Sequence, residues 1–389
     1  MRTLNRRGFL KSSALGASAA VFTASPVAAL AGRWTRRQQK EKRLITRRLG
    51  NTGIELPVVS MGVMRADNPE LVRAALAAGM RHLDTAHSYM EGNNESMLGG
   101  VLKDYPRDLF VLSTKVPPMD AASFLDTLDV SLKRLRMEYV DILYVHGPSE
   151  KSDVLDPAIL DALRRAKSSG KARHVGVSTH KNEPEVMRWA ASSGVYEVVL
   201  TSVNFRQDHY AEVRKAMAEA VQAGLGIVGM KTMAGGFYDR DRKKPINCRA
   251  ALKWVLQDPN LTTTIPGITS FAMLSENAGV NEDITLTDEE KASLAFAPAG
   301  GGLYCQACGE CTRGCPRHLP IPDIMRAYMY TYGYGTPRNA RTLLRTQGLG
   351  PDPCAACASC TARCAKGFAV RERICDVSRL VDVPEEFLV

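Results

Sequence analysis

None of the ten cysteines precedes position 248, and eight of them fall in two short runs near the C-terminus. That placement excludes a disulfide scaffold spread through the chain, even for a protein that leaves the cytoplasm. Long apolar runs are scarce too. The one stretch with a claim to a bilayer, 12–31, is rich in Ala and Ser and too weakly hydrophobic, so no permanent membrane span is expected. Acidic residues are nearly missing from the first 48 positions, where Glu41 stands alone against twelve Lys/Arg, while the remainder holds 39 Lys/Arg against 40 Asp/Glu. The net charge of +10 therefore belongs to the leader. A neutral body excludes the broad basic surface of a nucleic-acid-binding protein. No Gly-x-Gly-x-x-Gly follows the first strand candidate, which argues against an open, doubly wound dinucleotide-binding sheet.

What is present suits two domains: 389 residues, 45% hydrophobic and 24% charged. Residues 1–31 have a charged start, a mild apolar run and a small-residue end, Ala29-Leu30-Ala31, the parts of a secretory signal. Asn5-Arg6-Arg7-Gly8-Phe9-Leu10-Lys11 resembles a twin-arginine export signal. The resemblance implies recognition by the twin-arginine translocation machinery and a periplasmic location, and that route suits a protein whose metal clusters are inserted before export. Residues 32–47 form a basic linker without periodicity.

Over 48–297, apolar strand patterns alternate with amphipathic helical ones. Strands are expected at 58–61, 82–84, 109–114, 140–145, 174–177, 198–202, 226–230 and 263–265, with helices such as 69–78, 121–136, 157–168, 208–222 and 248–257 between them. Gly79, Gly170, Gly194 and Gly224 follow helical stretches where a left-handed cap is wanted. Eight alternations predict a (β/α)8 TIM barrel, with Arg48-Leu49-Gly50-Asn51-Thr52-Gly53 as a hairpin on its floor.

Reactive groups of such barrels lie at the C-terminal strand ends, where Asp84, Tyr89, Lys115 and His146 fall. The run Asp84-Thr85-Ala86-His87-Ser88-Tyr89 with Glu95 beyond it, Ser113-Thr114-Lys115, and Tyr144-Val145-His146-Gly147-Pro148 resemble, in order, segments of the aldo-keto reductase family. The resemblance covers roughly 48–280. It implies reduction of a small carbonyl, or oxidation of an alcohol, with Tyr89 as proton donor, Lys115 lowering its pKa, Asp84 paired with Lys115, and His146 orienting the carbonyl. A phenol titrating near ~10 is a poor acid at neutral pH, and a neighbouring ammonium would lower it.

The same resemblance implies NAD or NADP as cofactor, bound by Ser178, Met230, Gly267, Thr269, Ser270, Glu276 and Asn277. The chain departs from the family at several of these. Ser178-Thr179 and Leu200 stand where carboxamide-binding side chains are usual, Met230 where a ring-stacking Tyr is usual, and Gly267 and Met273 where cations for a 2′-phosphate are usual.

Cys305, Cys308, Cys311 and Cys315-Pro316 form the C-x2-C-x2-C-x3-C-P run of bacterial ferredoxins, and Cys354, Cys357, Cys360 and Cys364 repeat its spacing. Two 4Fe–4S clusters are expected in a small, mainly helical ferredoxin-like domain over 298–389, serving a redox partner protein. The fourth cysteine of each run commonly ligates the other cluster, which pairs Cys364 with Cys305, Cys308 and Cys311, and Cys315 with Cys354, Cys357 and Cys360. Paired zinc sites are the alternative. Cys248 and Cys375 read as core residues. The segment 305–364 has few large apolar residues, so the clusters are expected to serve as its core beside a barrel that folds alone. Two functions remain open: an exported oxidoreductase linking nicotinamide chemistry to the clusters, or an electron-carrier or binding protein whose barrel no longer uses nicotinamide.

Overall fold

The computed structural model describes residues 43–296 and 302–388. The leader reading of residues 1–31, and most of the linker, lie outside the described residues.

The order of elements is β1 (Thr46–Arg48), β2 (Glu55–Pro57), β3 (Met61–Gly62), α1 (Pro69–Ala77), β4 (His82–Asp84), α2 (Asn93–Leu102), β5 (Val111–Val116), α3 (Ala121–Leu135), β6 (Val140–His146), α4 (Lys151–Val154), α5 (Pro157–Ser168), β7 (Ala172–Thr179), α6 (Glu183–Ser192), β8 (Val198–Ser202), α7 (Tyr210–Gln222), β9 (Gly226–Met230), α8 (Cys248–Leu256), β10 (Thr263–Thr264), α9 (Phe271–Val280) and α10 (Asp288–Leu294). Beyond these come α11 (Glu310–Arg313), α12 (Ile321–Tyr332), α13 (Pro337–Thr346) and α14 (Val370–Ser378).

Strands β3 to β10 form one parallel sheet in sequence order. The sheet closes on itself because the Ser60 N–H donates to Thr264 O at 2.8 Å, Thr264 N–H to Val58 O at 2.9 Å and Gly62 N–H to Pro266 O at 3.0 Å. This is a (β/α)8 barrel followed by a helical C-terminal region. Helix ends follow side-chain chemistry: Asp156 caps α5 ahead of Pro157, and Thr287 with Glu290 forms a capping box on α10. Helix α3 buries Phe124, Leu128 and Leu132, a spacing that keeps one face on the barrel. The β1–β2 hairpin plugs the floor. Gly50 sits at φ +51 so close to the β9 entry that a Cβ would lie 2.4 Å from Gly226 N, which only glycine tolerates. Leu49, Leu56, Ile142, Tyr144, Leu200 and Val228 fill the interior above it.

Two expectations are corrected. The linker does not reach residue 47: Arg47 donates to the carbonyls of Leu256, Asp258 and Leu261 and belongs to the barrel. Nor does the C-terminal region have a core wholly its own, since Leu44–Val389 forms one compact unit. Ala234, Tyr238, Ile246, Ala250 and Leu294 of the barrel pack in one cluster with Leu303, Ile321, Ile324, Met325 and Tyr328. Helix α12 is buried nearly all round, leaving Pro322, Arg326, Thr331 and Tyr332 with appreciable exposure.

Candidate active site and cysteine cavities

Asp84 and His146 end β4 and β6, and Lys115 is next to last in β5. Lys115 Nζ donates to Asp84 Oδ2 at 2.5 Å, to Thr85 O at 2.6 Å and to Tyr89 Oη at 3.3 Å. The Tyr89 and His146 rings meet edge to face at 5.9 Å. The four sequence-predicted residues therefore stand together. Tyr89 is carried by a loop in which Met90 and Glu91 have φ of 50° and 55°, a strained geometry held from outside. Arg134, paired with the fully buried Glu95 at 3.4 Å, donates to His87 O at 3.1 Å, and Asn94 reaches Met90 Sδ at 4.0 Å.

Sequence reasoning missed the support beneath this group. Ser113 Oγ donates to Asp84 Oδ1 at 2.7 Å, so its single proton is committed there. His82 Nε2, 2.9 Å away, must then donate to Ser113 Oγ. His82 Nδ1 is buried without a partner, and burial holds this imidazole neutral by lowering it to about 4.

Burial first, then the Asp84 carboxylate and Tyr330, push the Tyr89 phenol well above its ordinary value, and Arg326 works against them. The Lys115 ammonium beside it is paired with Asp84. His146 falls to about 3 through burial, aided by Lys115, Arg326 and Lys231. Burial likewise depresses His180. Tyr89, His146, His180 and Lys231 each keep some accessible surface although burial dominates their titration. They line a recess.

Helix α12 covers that recess. Asp323 pairs with Lys181 beyond β7, and with Arg326 at 2.6 Å. Tyr330 Oη accepts from Lys231 Nζ at 3.1 Å. The Arg65 guanidinium, on the loop after β3, donates to Tyr334 O. Burial alone would raise Tyr330, but the Lys231 and Arg326 charges outweigh it and lower the phenol. None of these contacts was legible from spacing.

Two further cavities hold the cysteines. One is lined by Cys305, Cys308, Cys311 and Cys364, the other by Cys315, Cys354, Cys357 and Cys360. The fourth cysteine of each run lies with the other run. Among the described residues no three His, Cys, Asp or Glu side chains converge closely enough for a single metal ion. Four thiols around a void suit a polynuclear iron–sulfur group, whose iron would favour the thiolate. Without it, burial pushes Cys305 up to about 12. Cys375, read from sequence as a core residue, packs partly buried against the core of this region and neighbours Cys354. Pro322 lines the first cavity and Ile321 the second. Helix α12 thus starts between the two and ends at the recess, ~12 Å from Pro322 to Tyr330 at helical rise.

The residues expected to hold a nicotinamide are spread along one side of the barrel. At the ring end the fit is poor. Ser178 Oγ is engaged with Val145 O and the Gly147 N–H, both at 3.3 Å, and Thr179 Oγ1 donates to Lys181 O at 2.7 Å. Leu200 and Met230 are buried and offer no polar group. At the other end Thr269, Ser270 and Glu276 are exposed, Ser270 capping α9, and Asn277 Nδ2 is buried without a partner. Beside Gly267 runs the Arg65 side chain, a cation that sequence reasoning missed.

Residues 59–250 match the aldo/keto reductase family and residues 304–369 a 4Fe-4S dicluster domain. A methylglyoxal reductase of Escherichia coli O157:H7 is 26% identical over 258 residues, covering 62% of this chain and 92% of the relative. A 6-dehydroglucose reductase of Novosphingobium aromaticivorans is 35% identical over 161 residues, 34% of this chain and half of the relative. The holo form of an aldo-keto reductase from Bacillus halodurans superposes with a TM-score of 0.56 at 21% identity, covering 65% of this chain and 95% of that one. One from Klebsiella pneumoniae, solved with NADPH, gives 0.53 at 22%, covering 65% and 94%.

Proposed function

We propose that this oxidoreductase, an aldo/keto reductase barrel with a 4Fe–4S dicluster domain folded over its mouth, interconverts a small carbonyl compound and its alcohol in the recess under α12, exchanging electrons with a one-electron redox partner protein. The observation that carries the reading is the course of α12, from between the two cysteine cavities to the tetrad. Cys305, Cys308, Cys311 and Cys364 would hold one cluster, and Cys354, Cys357, Cys360 and Cys315 the other. Bound there, each cluster would take up or release one electron at a time.

Reduction of a carbonyl to an alcohol adds two electrons, which the clusters would supply one at a time, and two protons, one to the oxygen and one, from solvent water, to the carbon. Tyr89, with its phenol held protonated, is suited to give a proton from Oη to the substrate oxygen. Neutral His146 can donate a ring N–H to the same oxygen and orient it. Lys115, fixed by Asp84 and Thr85 O, anchors the Tyr89 hydroxyl. No hydride step is derived, because the ring end of the nicotinamide site does not fit.

A second reading, hydride transfer from NAD or NADP, is favoured by the unpartnered Asn277 amide and by Arg65 beside Gly267. Turnover of small aldehydes by the iron-loaded protein separates the two. Activity with a chemically reduced one-electron mediator and no nucleotide supports the cluster-fed reading; activity with NADH or NADPH alone overturns it.

Export to the periplasm rests on Arg6 and Arg7. Replacing both by Lys is expected to trap the precursor in the cytoplasm, and unchanged periplasmic accumulation would rule the signal out.

A further inference from the structure

The recess under α12 carries more positive charge than its own acids balance. Lys231 follows the last residue of β9 with φ +55, a backbone region that favours glycine, so the chain spends strain to aim this lysine inward. Among the described residues Lys231 makes one hydrogen bond, to Tyr330 Oη, lies 4.7 Å from the centre of that ring, and has no ion pair. Arg326 reaches the recess from α12, and its field is felt by Tyr89, His146, His180, Lys231 and Tyr330. Its carboxylate partner, Asp323, is shared with Lys181. Of the other acids, Asp84 is committed to Lys115, and Glu95, whose field also reaches Lys115, to Arg134. Five cations thus face three carboxylates, while His146 and His180 are neutral and supply no charge either way.

A cation held away from bulk water and lacking a counter-charge is costly, and an incoming anion relieves that cost. We propose that the recess takes a substrate carrying its own negative charge, a carboxylate or phosphate close to the reacting carbonyl or hydroxyl, with the oxyanion held between Lys231 and Arg326. This rests on the carbonyl–alcohol reading for the reacting group. Lys231 donates to Tyr330 Oη, which leaves the Tyr330 hydroxyl proton free to donate to the same oxyanion. Tyr89 and His146, in edge-to-face contact nearby, would meet the carbonyl. The anion site is built jointly: Lys231 comes from the barrel, while Arg326 and Tyr330 come from the cysteine-bearing region.

The test is calorimetric binding of acetate, inorganic phosphate and the neutral isostere acetamide to the iron-loaded full chain. Acetate or phosphate is expected to bind and acetamide not, and the ion that binds names the oxyanion. Lys231→Met and Arg326→Met should each weaken that ion by about tenfold or more, whereas Lys231→Arg, which restores the charge, should stay near wild type. Visible cluster absorbance reports folding, and if Arg326→Met loses it, Lys231→Met decides alone. Equal binding of acetamide, no binding of either ion, or an unchanged affinity in Lys231→Met overturns the proposal. Binding is read without turnover. Selective anion binding by a protein that reduces no carbonyl would sink the functional reading alone, and turnover without charge selectivity would sink the anion site alone.

Discussion

Ser113→Ala removes one oxygen from beneath the tetrad and strands two buried groups. The hydroxyl gives its proton to Asp84 Oδ1 at 2.7 Å and accepts from His82 Nε2 at 2.9 Å, with Asp84 at 2% and His82 at 0% exposure. No water can replace it there without space being made. Asp84 would lose a charge-assisted hydrogen bond, worth about 1.5–3 kcal/mol, and His82 its one remaining polar partner, at about 1–3 kcal/mol. Methyl burial in place of the hydroxyl returns a little, so the expected loss is about 3–5 kcal/mol, a large share of a typical 5–15. Urea unfolding of the iron-loaded chain, followed by far-ultraviolet circular dichroism, gives the change through the shift in midpoint at constant slope. In a His82→Phe background the same substitution should cost less, because one of the two stranded groups is already gone. A loss below about 1 kcal/mol in the wild-type background would refute the relay from His82 through Ser113 to Asp84.

Other expectations follow from the same geometry. Tyr89→Phe should abolish carbonyl reduction while the thermal transition and cluster absorbance stay near wild type, since the acid is lost and little packing with it; retained activity would reassign the donor. His82 and His146 titrate at about 4 and about 3 in the fold against an ordinary 6.5, so between those values the unfolded chain binds more protons. Their contribution is complete above about pH 6.5 and falls away on acidification, by up to ~1.4 kcal/mol per pH unit for each histidine, which urea midpoints from pH 7 to 4.5 would measure. Cys308→Ser should halve the iron content and, because Pro322 borders that cavity, loosen α12 enough to raise hydrogen exchange in Arg326–Tyr330; full iron content would sink the ligand assignment.

Much of the barrel is legible in the sequence because its signals are local. Strands β4, β8 and β9 have the bounds that apolar runs between turn residues suggest, and the glycines after α1, α5, α6 and α7 have φ between +65° and +92°. The tetrad is legible because each member sits at or near the end of its own strand or on the loop beyond it. Helices α2 and α9 have no legible bounds, because both contain glycine and have little amphipathic contrast; α6 is marked only by its cap at Gly194, and it opens after a left-handed Asn182. The sequence reads as mainly helical over 298–389, where α12 lies. It could not say that this helix would bury nearly every side, pack on barrel residues such as Ala250 and deliver Arg326 and Tyr330 to the tetrad, because that depends on contacts 99 residues apart, as between Lys231 and Tyr330. The relay below Asp84 was hidden for a different reason: His82 and Ser113 sit where apolar strand residues are the default reading.

The central claim is that the cysteine cavities and the recess work as one redox unit, and electron paramagnetic resonance of the full chain tests it most directly. The protein should hold about eight iron per chain and, after anaerobic chemical reduction, give the signals of reduced 4Fe–4S clusters. Adding an anionic carbonyl compound with no nucleotide present should remove those signals as the alcohol accumulates, and Tyr89→Phe should keep them. Signals that survive the carbonyl in the wild-type protein, while NADH or NADPH alone drives its reduction, would contradict the account.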